Sequence, residues 1–265
     1  MVPVNIRLAP PEIIEILSDC EASVIVVDDA FTAIADQLKA GIKSVKHIVF
    51  IGEGKTPTGM HNVEDLIKNS SPLPPVSCGN DDTYGIFYTG GTTGKSKGVM
   101  LTHTNVMVNA LSEVGKLNYN SNTRYLHCAP MFHLADGGNT FAVTMATGCH
   151  YFLMFNPPGV LAEINRAKTT HVVLVPTMLQ MTLALPNLSD FNLDTVEYII
   201  YGGSPMPEIL LTKAVEVFKN AKFIQGYGMT ECAPGVSNLF PEYHTVGNPK
   251  LTSCGVPVPH AEVKV

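Results

Sequence analysis

Short apolar runs rich in valine and isoleucine alternate with helix-periodic segments along almost the whole chain, and this alternation narrows the fold more than any other feature. Strand-like runs fall at 22–27, 47–51, 84–88, 98–101, 125–128, 149–155, 171–175, 196–201 and 222–225. Between them, helical spacing covers 11–17, 31–40, 62–68, a helix capped near Thr104, then 134–147, 160–168, 177–185 and 208–218. The runs are almost continuously apolar, as strands are when helices cover both faces of a parallel sheet. The expected fold class is therefore α/β, with mostly parallel sheets flanked by helices. Residues 69–80, NSSPLPPVSCGN, read as exposed loop. Beyond residue 236 helical pattern stops, and 261–265 reads as a further strand.

Composition removes several classes of function. The 265 residues are 45% hydrophobic and 15% charged, which suits a buried core rather than a disordered chain. The net charge is −6 and no block of Lys and Arg stands out, so neither nucleic acid nor an anionic membrane is an expected partner. Any bound phosphate has to be held locally, by backbone N–H groups and a few side chains. Cys20, Cys78, Cys128, Cys149, Cys232 and Cys254 are scattered without a C-x-x-C pair, and reduced core thiols in a cytoplasmic protein are expected. Residues 1–5 lack the pattern of a signal peptide. The longest apolar stretch, about 140–155, is interrupted by Gly148 and His150 and is too short for a transmembrane segment.

The segment most informative about chemistry is YTGGTTGKSKG, residues 88–98. Gly90, Gly91 and Gly94 let the backbone approach a ligand and turn its N–H groups into a concave anion site. Thr92 and Thr93 add hydroxyl donors, Lys95 and Lys97 add positive charge, and Thr89 is counted with Gly90 to Gly94 and Lys97 among the expected nucleotide-binding residues. The GKS at 94–96 imitates the end of the common nucleotide triphosphatase loop. However, the first glycine of that pattern would fall on Thr89, and residues 98–101 read as a strand where that loop requires a helix. Strand–loop–strand with YTGGTTGKSKGVMLTH instead resembles the ATP loop of the AMP-forming acyl and aryl ligases, which include acyl-CoA synthetases, luciferases and adenylation domains. Gly90 stands where that family usually has Ser, and Ser96 where it usually has Pro.

Further segments resemble the same family, in family order. QGYGMTE at 225–231 matches a motif that implies nucleotide contacts from Gly226, Tyr227, Gly228, Met229 and Thr230. In that motif Tyr227 lies against adenine, Thr230 near the α-phosphate and Glu231 on Mg²⁺. An aromatic face, a hydroxyl and a carboxylate suit those three tasks. The turn YGGSPM at 201–206 resembles the family's adenine-side turn and puts Gly202, Gly203 and Ser204 beside the base. APMFH at 129–133 resembles a segment near the acyl carboxylate, where His133 would orient that group. A histidine after an aromatic residue is equally a structural feature of many cores.

The resemblance implies a function as well as a fold. It implies the AMP-binding N-terminal domain, incomplete, with a first α/β subdomain over 1–118, a second with the adenine site over 119–235, and the start of a β-barrel subdomain over 236–265. It implies catalysis by His133, Thr230 and Glu231, with ATP, Mg²⁺ and coenzyme A as cofactor and co-substrates. The implied partner is a small-molecule carboxylate, a fatty acid foremost, and a homodimer is possible. The family's ribose-binding Asp, hinge Arg and C-terminal lid domain with its catalytic Lys come later than the matched motifs, so a fragment, weakly active or inactive alone, is expected. Adenylation of another carboxylate, a non-catalytic nucleotide-binding remnant and an unrelated triphosphatase remain alternatives. The whole scheme expects the loop at 89–98 to face the turn at 227–231 across one pocket.

Overall fold

A computed structural model describes residues 1–90 and 94–264. Gly91, Thr92 and Thr93 of the expected phosphate loop lie outside the described residues. The chain divides into two compact units, residues 1–79 with 85–100, and residues 80–84 with 101–265.

In the first unit the elements are helix α1 (Pro10–Asp19), strand β1 (Val24–Val27), helix α2 (Thr32–Gly41), strands β2 (His47–Phe50) and β3 (His61–Asn62), and helix α3 (Val63–Lys68). Strands β1, β2 and β3 pair in parallel in that order. Ile13 and Leu17 of α1 and Ala35 and Leu38 of α2 bury against Ile25, Val27 and Ile48. Burial in β1 alternates, and Val24 and Val26 stay exposed. This corrects the expectation of helices on both faces: here only one face of the small sheet is covered. Residues 71–79 form an exposed loop, as expected from their Ser and Pro content.

Strands β4 (Thr83–Thr89) and β5 (Lys97–Thr102) pair as a two-stranded sheet. Helix α4 (His103–Lys116) follows at once. Its cap is Thr102 rather than Thr104, because Thr102 Oγ1 accepts the Asn105 N–H at 3.1 Å while Asn105 Oδ1 accepts the Thr102 N–H at 2.9 Å.

The rest of the second unit comprises strand β6 (Arg124–His127), helices α5 (Leu134–Gly137) and α6 (Asn139–Met145), strand β7 (Cys149–Phe152), helix α7 (Pro157–Ala167), strand β8 (His171–Val173), helix α8 (Pro176–Leu183), strand β9 (Tyr198–Gly202), helix α9 (Glu208–Val217), and strands β10 (Lys222–Gly228), β11 (Gly235–Leu239) and β12 (Val256–Pro257). The single helix expected over 134–147 is interrupted for one residue at Gly138, which keeps helical φ −64° and ψ −30° and donates its N–H to the Leu134 carbonyl at 3.0 Å. Seven strands form one sheet in the order β12-β11-β10-β9-β8-β6-β7. Pairing is parallel from β7 to β10 and antiparallel at β10–β11 and β11–β12. The strand expected at 261–265 is absent over 261–264. Among the described residues 236–264 there is no closed barrel: β11 and β12 extend the parallel sheet.

The sheet's core is apolar on both sides, with Leu126, Val172, Leu174, Ile199 and Ile224 in it and Leu161, Ile164, Leu179 and Leu211 packed from the helices. The crossover from β6 leads to β7 on one side, while β8 lies on the other side of β6 and leads on to β9 and β10. This reversal leaves a crevice at the carboxyl ends of β6 and β8, where ligands of open α/β sheets bind.

Candidate functional site

A cavity of about 360 Å³ opens at those carboxyl ends in the second unit. Its size falls at the lower end of the range for small-molecule sites. From β6 it is lined by Ala129, Pro130 and His133; from β9 by Tyr201, Gly202 and Gly203; and from β10 by the run Gly226 to Thr230. Each contributor is the end of a parallel strand or the turn leaving it, so the sheet itself sets their spacing.

Two glycines make the close approach possible. A side chain at Gly202 would place its Cβ 2.5 Å from the Gly226 carbonyl oxygen, and one at Gly228 would lie 2.0 Å from that of Pro234. The ends of β9 and β10 can therefore meet, and β10 can fold back onto β11, only with hydrogen at these positions. A register shift between Tyr227 and Gly228 bends the strand there. Tyr227 lines the cavity and is 44% exposed, so its aromatic face is available for stacking. Thr230 follows in a short turn, Thr230–Cys232, that also carries Glu231.

Asp136 holds the β6 side. It is completely buried in α5, three residues after His133. The Tyr125 hydroxyl donates to Asp136 Oδ1 at 3.0 Å and His127 Nδ1 donates to the same oxygen at 2.8 Å. The Ala129 N–H donates to Oδ2 at 3.0 Å. Residue 129 opens the segment that leads to His133, so this carboxylate fixes where that segment leaves the strand. His133 caps α5, and its N–H donates to the Pro130 carbonyl at 3.0 Å.

The expected site residues thus divide into three groups. His133, Gly202, Gly203, Gly226, Tyr227, Gly228, Met229 and Thr230 line one cavity. Ser204 and Glu231 adjoin its turns, are exposed, and are not among the lining residues. Thr89, Gly90, Gly94 and Lys97 belong to the first unit. There, the Thr89 hydroxyl donates to the Lys97 carbonyl at 3.5 Å, and Gly94 adopts φ +90°. Lys97 opens β5, so GKS leads into a strand. That excludes the triphosphatase alternative, which needs a helix there.

Among the lining residues that sequence reasoning missed are the polar side chains of Asn109, Glu113, Asn139 and Asn238. Asn109 and Glu113 are four apart on α4 and so share a face. That spacing does not show that this face of α4 meets a cavity. Burial pushes the Glu113 carboxyl up to about 7, against smaller opposing effects of the Asn238 amide and Lys116. Among the described residues no group of three or more His, Cys, Asp or Glu side chains could hold a metal ion. All six cysteines are free, but only Cys128 is buried; Cys20 and Cys232 are half-buried and Cys78, Cys149 and Cys254 are exposed, which corrects the expectation of core thiols. No helix among the described residues is long and apolar enough to cross a membrane.

Comparison with known proteins agrees with this geometry. The family model described as AMP-binding enzyme matches residues 1–265. A feruloyl-CoA synthase from Amycolatopsis sp is 33% identical over 100% of this chain and 50% of its own length. The long-chain-fatty-acid–CoA ligase FadD13 of Mycobacterium tuberculosis is 31% identical over 91% of this chain and 47% of its own. The crystal structure of the anthranilate CoA ligase AuaEII in complex with anthranoyl-AMP superposes with a TM-score of 0.87 at 26% identity, over 97% of this chain and 49% of that one. The chain spans about half the length of the curated relatives it matches. With the family model covering every residue and the cavity formed at the ends of β6, β8, β9 and β10, the chain belongs to the AMP-binding enzyme family.

Proposed function

We propose that this chain is the nucleotide- and acyl-holding part of an ATP-dependent acid–thiol ligase, which activates a carboxylic acid as its acyl-adenylate and passes it to coenzyme A. The observation that carries the proposal is the convergence of the Gly202–Gly203 turn, the Tyr227–Thr230 run and His133 on one cavity. In this reading Tyr227 stacks on the adenine, and the backbone of residues 202–203 borders the base. The Thr230 hydroxyl donates to the α-phosphate. His133 orients the acid's carboxylate for attack on that phosphorus, with pyrophosphate leaving. A carboxylate is a weak nucleophile, so holding both reactants in register supplies much of the rate.

Thr89, Gly90, Gly94 and Lys97 serve the β- and γ-phosphates in the same reading, together with Gly91, Thr92 and Thr93. Glu231 is the carboxylate suited to hold Mg²⁺, which is usually bound by one or two protein carboxylates with substrate phosphates completing its shell. When bound, Mg²⁺ neutralises charge that builds on the phosphates. The relatives named for feruloyl, fatty-acyl and anthraniloyl substrates leave the acid itself open between aromatic and aliphatic classes. A cytoplasmic setting belongs to the same reading and suits six free thiols.

Calorimetric titration of the chain with AMP tests the proposal. Tyr227→Ala is expected to weaken AMP binding about tenfold or more, the range for loss of one base–aromatic stack. Equal affinity in the two proteins contradicts the assignment of Tyr227 to the base.

A further inference from the structure

The ligase reading above assigns no task to one wall of the cavity. Asn109 and Glu113 reach it from α4, and Asn238 reaches it from β11, paired with Gly226 of β10. Gly226 has no side chain to cover this spot, and a Cβ there would stand 3.9 Å from Asn238 Oδ1. Gly235 closes the cluster from the other side. Its N–H donates to Asn109 Oδ1 at 3.0 Å, and a Cβ at Gly235 would lie 2.7 Å from Glu113 Oε1. The remaining wall is mainly apolar, with Leu117, Leu134, Val173 and Ile200.

Another cavity residue shows what a purely structural amide looks like. Asn139 accepts from the Tyr119 hydroxyl at 2.8 Å and donates to the Ala135 carbonyl at 2.9 Å, so both ends of its side chain are used. Asn238 differs. It is 3% exposed, and its Nδ2 reaches no acceptor at hydrogen-bond distance, although its amide is near enough to Glu113 to favour the carboxylate form. Glu113 makes no ion pair among the described residues. Lys116, one turn away, lies over the Phe240 ring at 4.6 Å. A buried donor without an acceptor costs free energy that a ligand can recover.

Resting on the ligase reading above, we propose that Glu113 and Asn238 select an acid bearing a hydroxyl group, which donates to the Glu113 carboxyl and accepts from Asn238 Nδ2. A hydroxyl meets both requirements with a single atom, since its oxygen donates to a carboxyl oxygen and accepts from Nδ2. An ammonium group has no lone pair for Asn238, and a methyl group satisfies neither partner. The apolar wall takes the body of the acid, whether aryl or alkyl.

Acyl-adenylate mimics with a sulfamoyl linkage provide the probes, in two matched pairs: 3-phenylpropanoyl with 3-(4-hydroxyphenyl)propanoyl, and octanoyl with 8-hydroxyoctanoyl. Titration of the chain is expected to show the hydroxylated member of at least one pair binding about tenfold tighter or more, the scale of satisfying a buried polar group that otherwise lacks a partner. Glu113→Leu and Asn238→Leu should each bring that ratio close to one while AMP affinity stays unchanged. AMP affinity also reports whether each variant has folded, and one folded variant suffices. Equal binding within both pairs, a preference that persists in a folded variant, or AMP binding with none of the four mimics bound overturns the hydroxyl assignment. If neither AMP nor any mimic binds the wild-type chain, the ligase reading itself falls, and the inference with it.

Discussion

Glu113 and His171 are buried ionisable groups whose effects on stability run in opposite directions with pH. Glu113 is raised to about 7 in the folded chain from an ordinary 4.5, so the folded state holds its proton more tightly than the unfolded state. Its contribution is intact below 4.5 and is lost as pH rises towards 7, by up to ~3 kcal/mol. Urea unfolding should therefore show Glu113→Gln gaining on wild type between pH 5 and pH 8; parallel curves would contradict this. His171 is lowered to about 4 from 6.5 by burial in β8, despite donating from Nε2 to the Leu117 carbonyl at 3.1 Å. Its contribution is intact above 6.5 and is lost as pH falls towards 4. His171→Gln should flatten the acid side of the stability profile, and an unchanged slope there would count against it.

Asp136 has the most dependents, with three donors on one buried carboxylate. Asp136→Ala strands all three and should cost about 3–5 kcal/mol in urea unfolding. A loss below 1 kcal/mol would mean that the three donors find other partners. Neither carboxylate was legible in the sequence. Glu113 sits within an ordinary amphipathic helix, and Asp136 within a segment read simply as a helix over 134–147. What matters for both is what other elements bring to them, and spacing along the chain carries no trace of that. The family motifs were legible because their residues are contiguous: 201–203 and 226–230 are each one strand end.

At the scale of elements, the site depends on how closely the ends of β9 and β10 approach. Gly202→Ala must push β9 from β10 at the Gly226 carbonyl, and should lower stability by about 1–3 kcal/mol and abolish AMP binding. Gly115→Ala in α4 is the control. Nothing lies within 4 Å of its added methyl group, so it should raise stability by up to ~1 kcal/mol and leave AMP binding alone. Thermal melts with and without AMP check both, and a tolerated Gly202→Ala would refute the close-approach account. Most elements were recognisable from apolar periodicity to within two or three residues. Two exceptions stand out. The segment over 134–145 is interrupted for one residue at Gly138, although its dihedrals stay helical, and β1 is apolar on a face that nothing in its unit covers.

At the scale of the whole molecule, two units share the motifs of one family. The first carries the described part of the glycine- and threonine-rich loop, the second the cavity with the tyrosine turn. The order of strands in the larger sheet explains the second unit's part. A reversal between β6 and β8 opens a crevice, and every motif read there from the sequence lies at the end of a strand bordering it. The sheet order itself could not be read from the sequence, because alternating elements fix parallel pairing but not which strand lies beside which. Hydrogen exchange of the 265-residue chain with and without AMP, followed by mass spectrometry, measures the central claim directly. The account predicts slowed exchange at 200–204 and 226–231, with the exposed loop at 71–79 unchanged. Unaltered exchange at both strand ends, with saturating AMP bound, would contradict it.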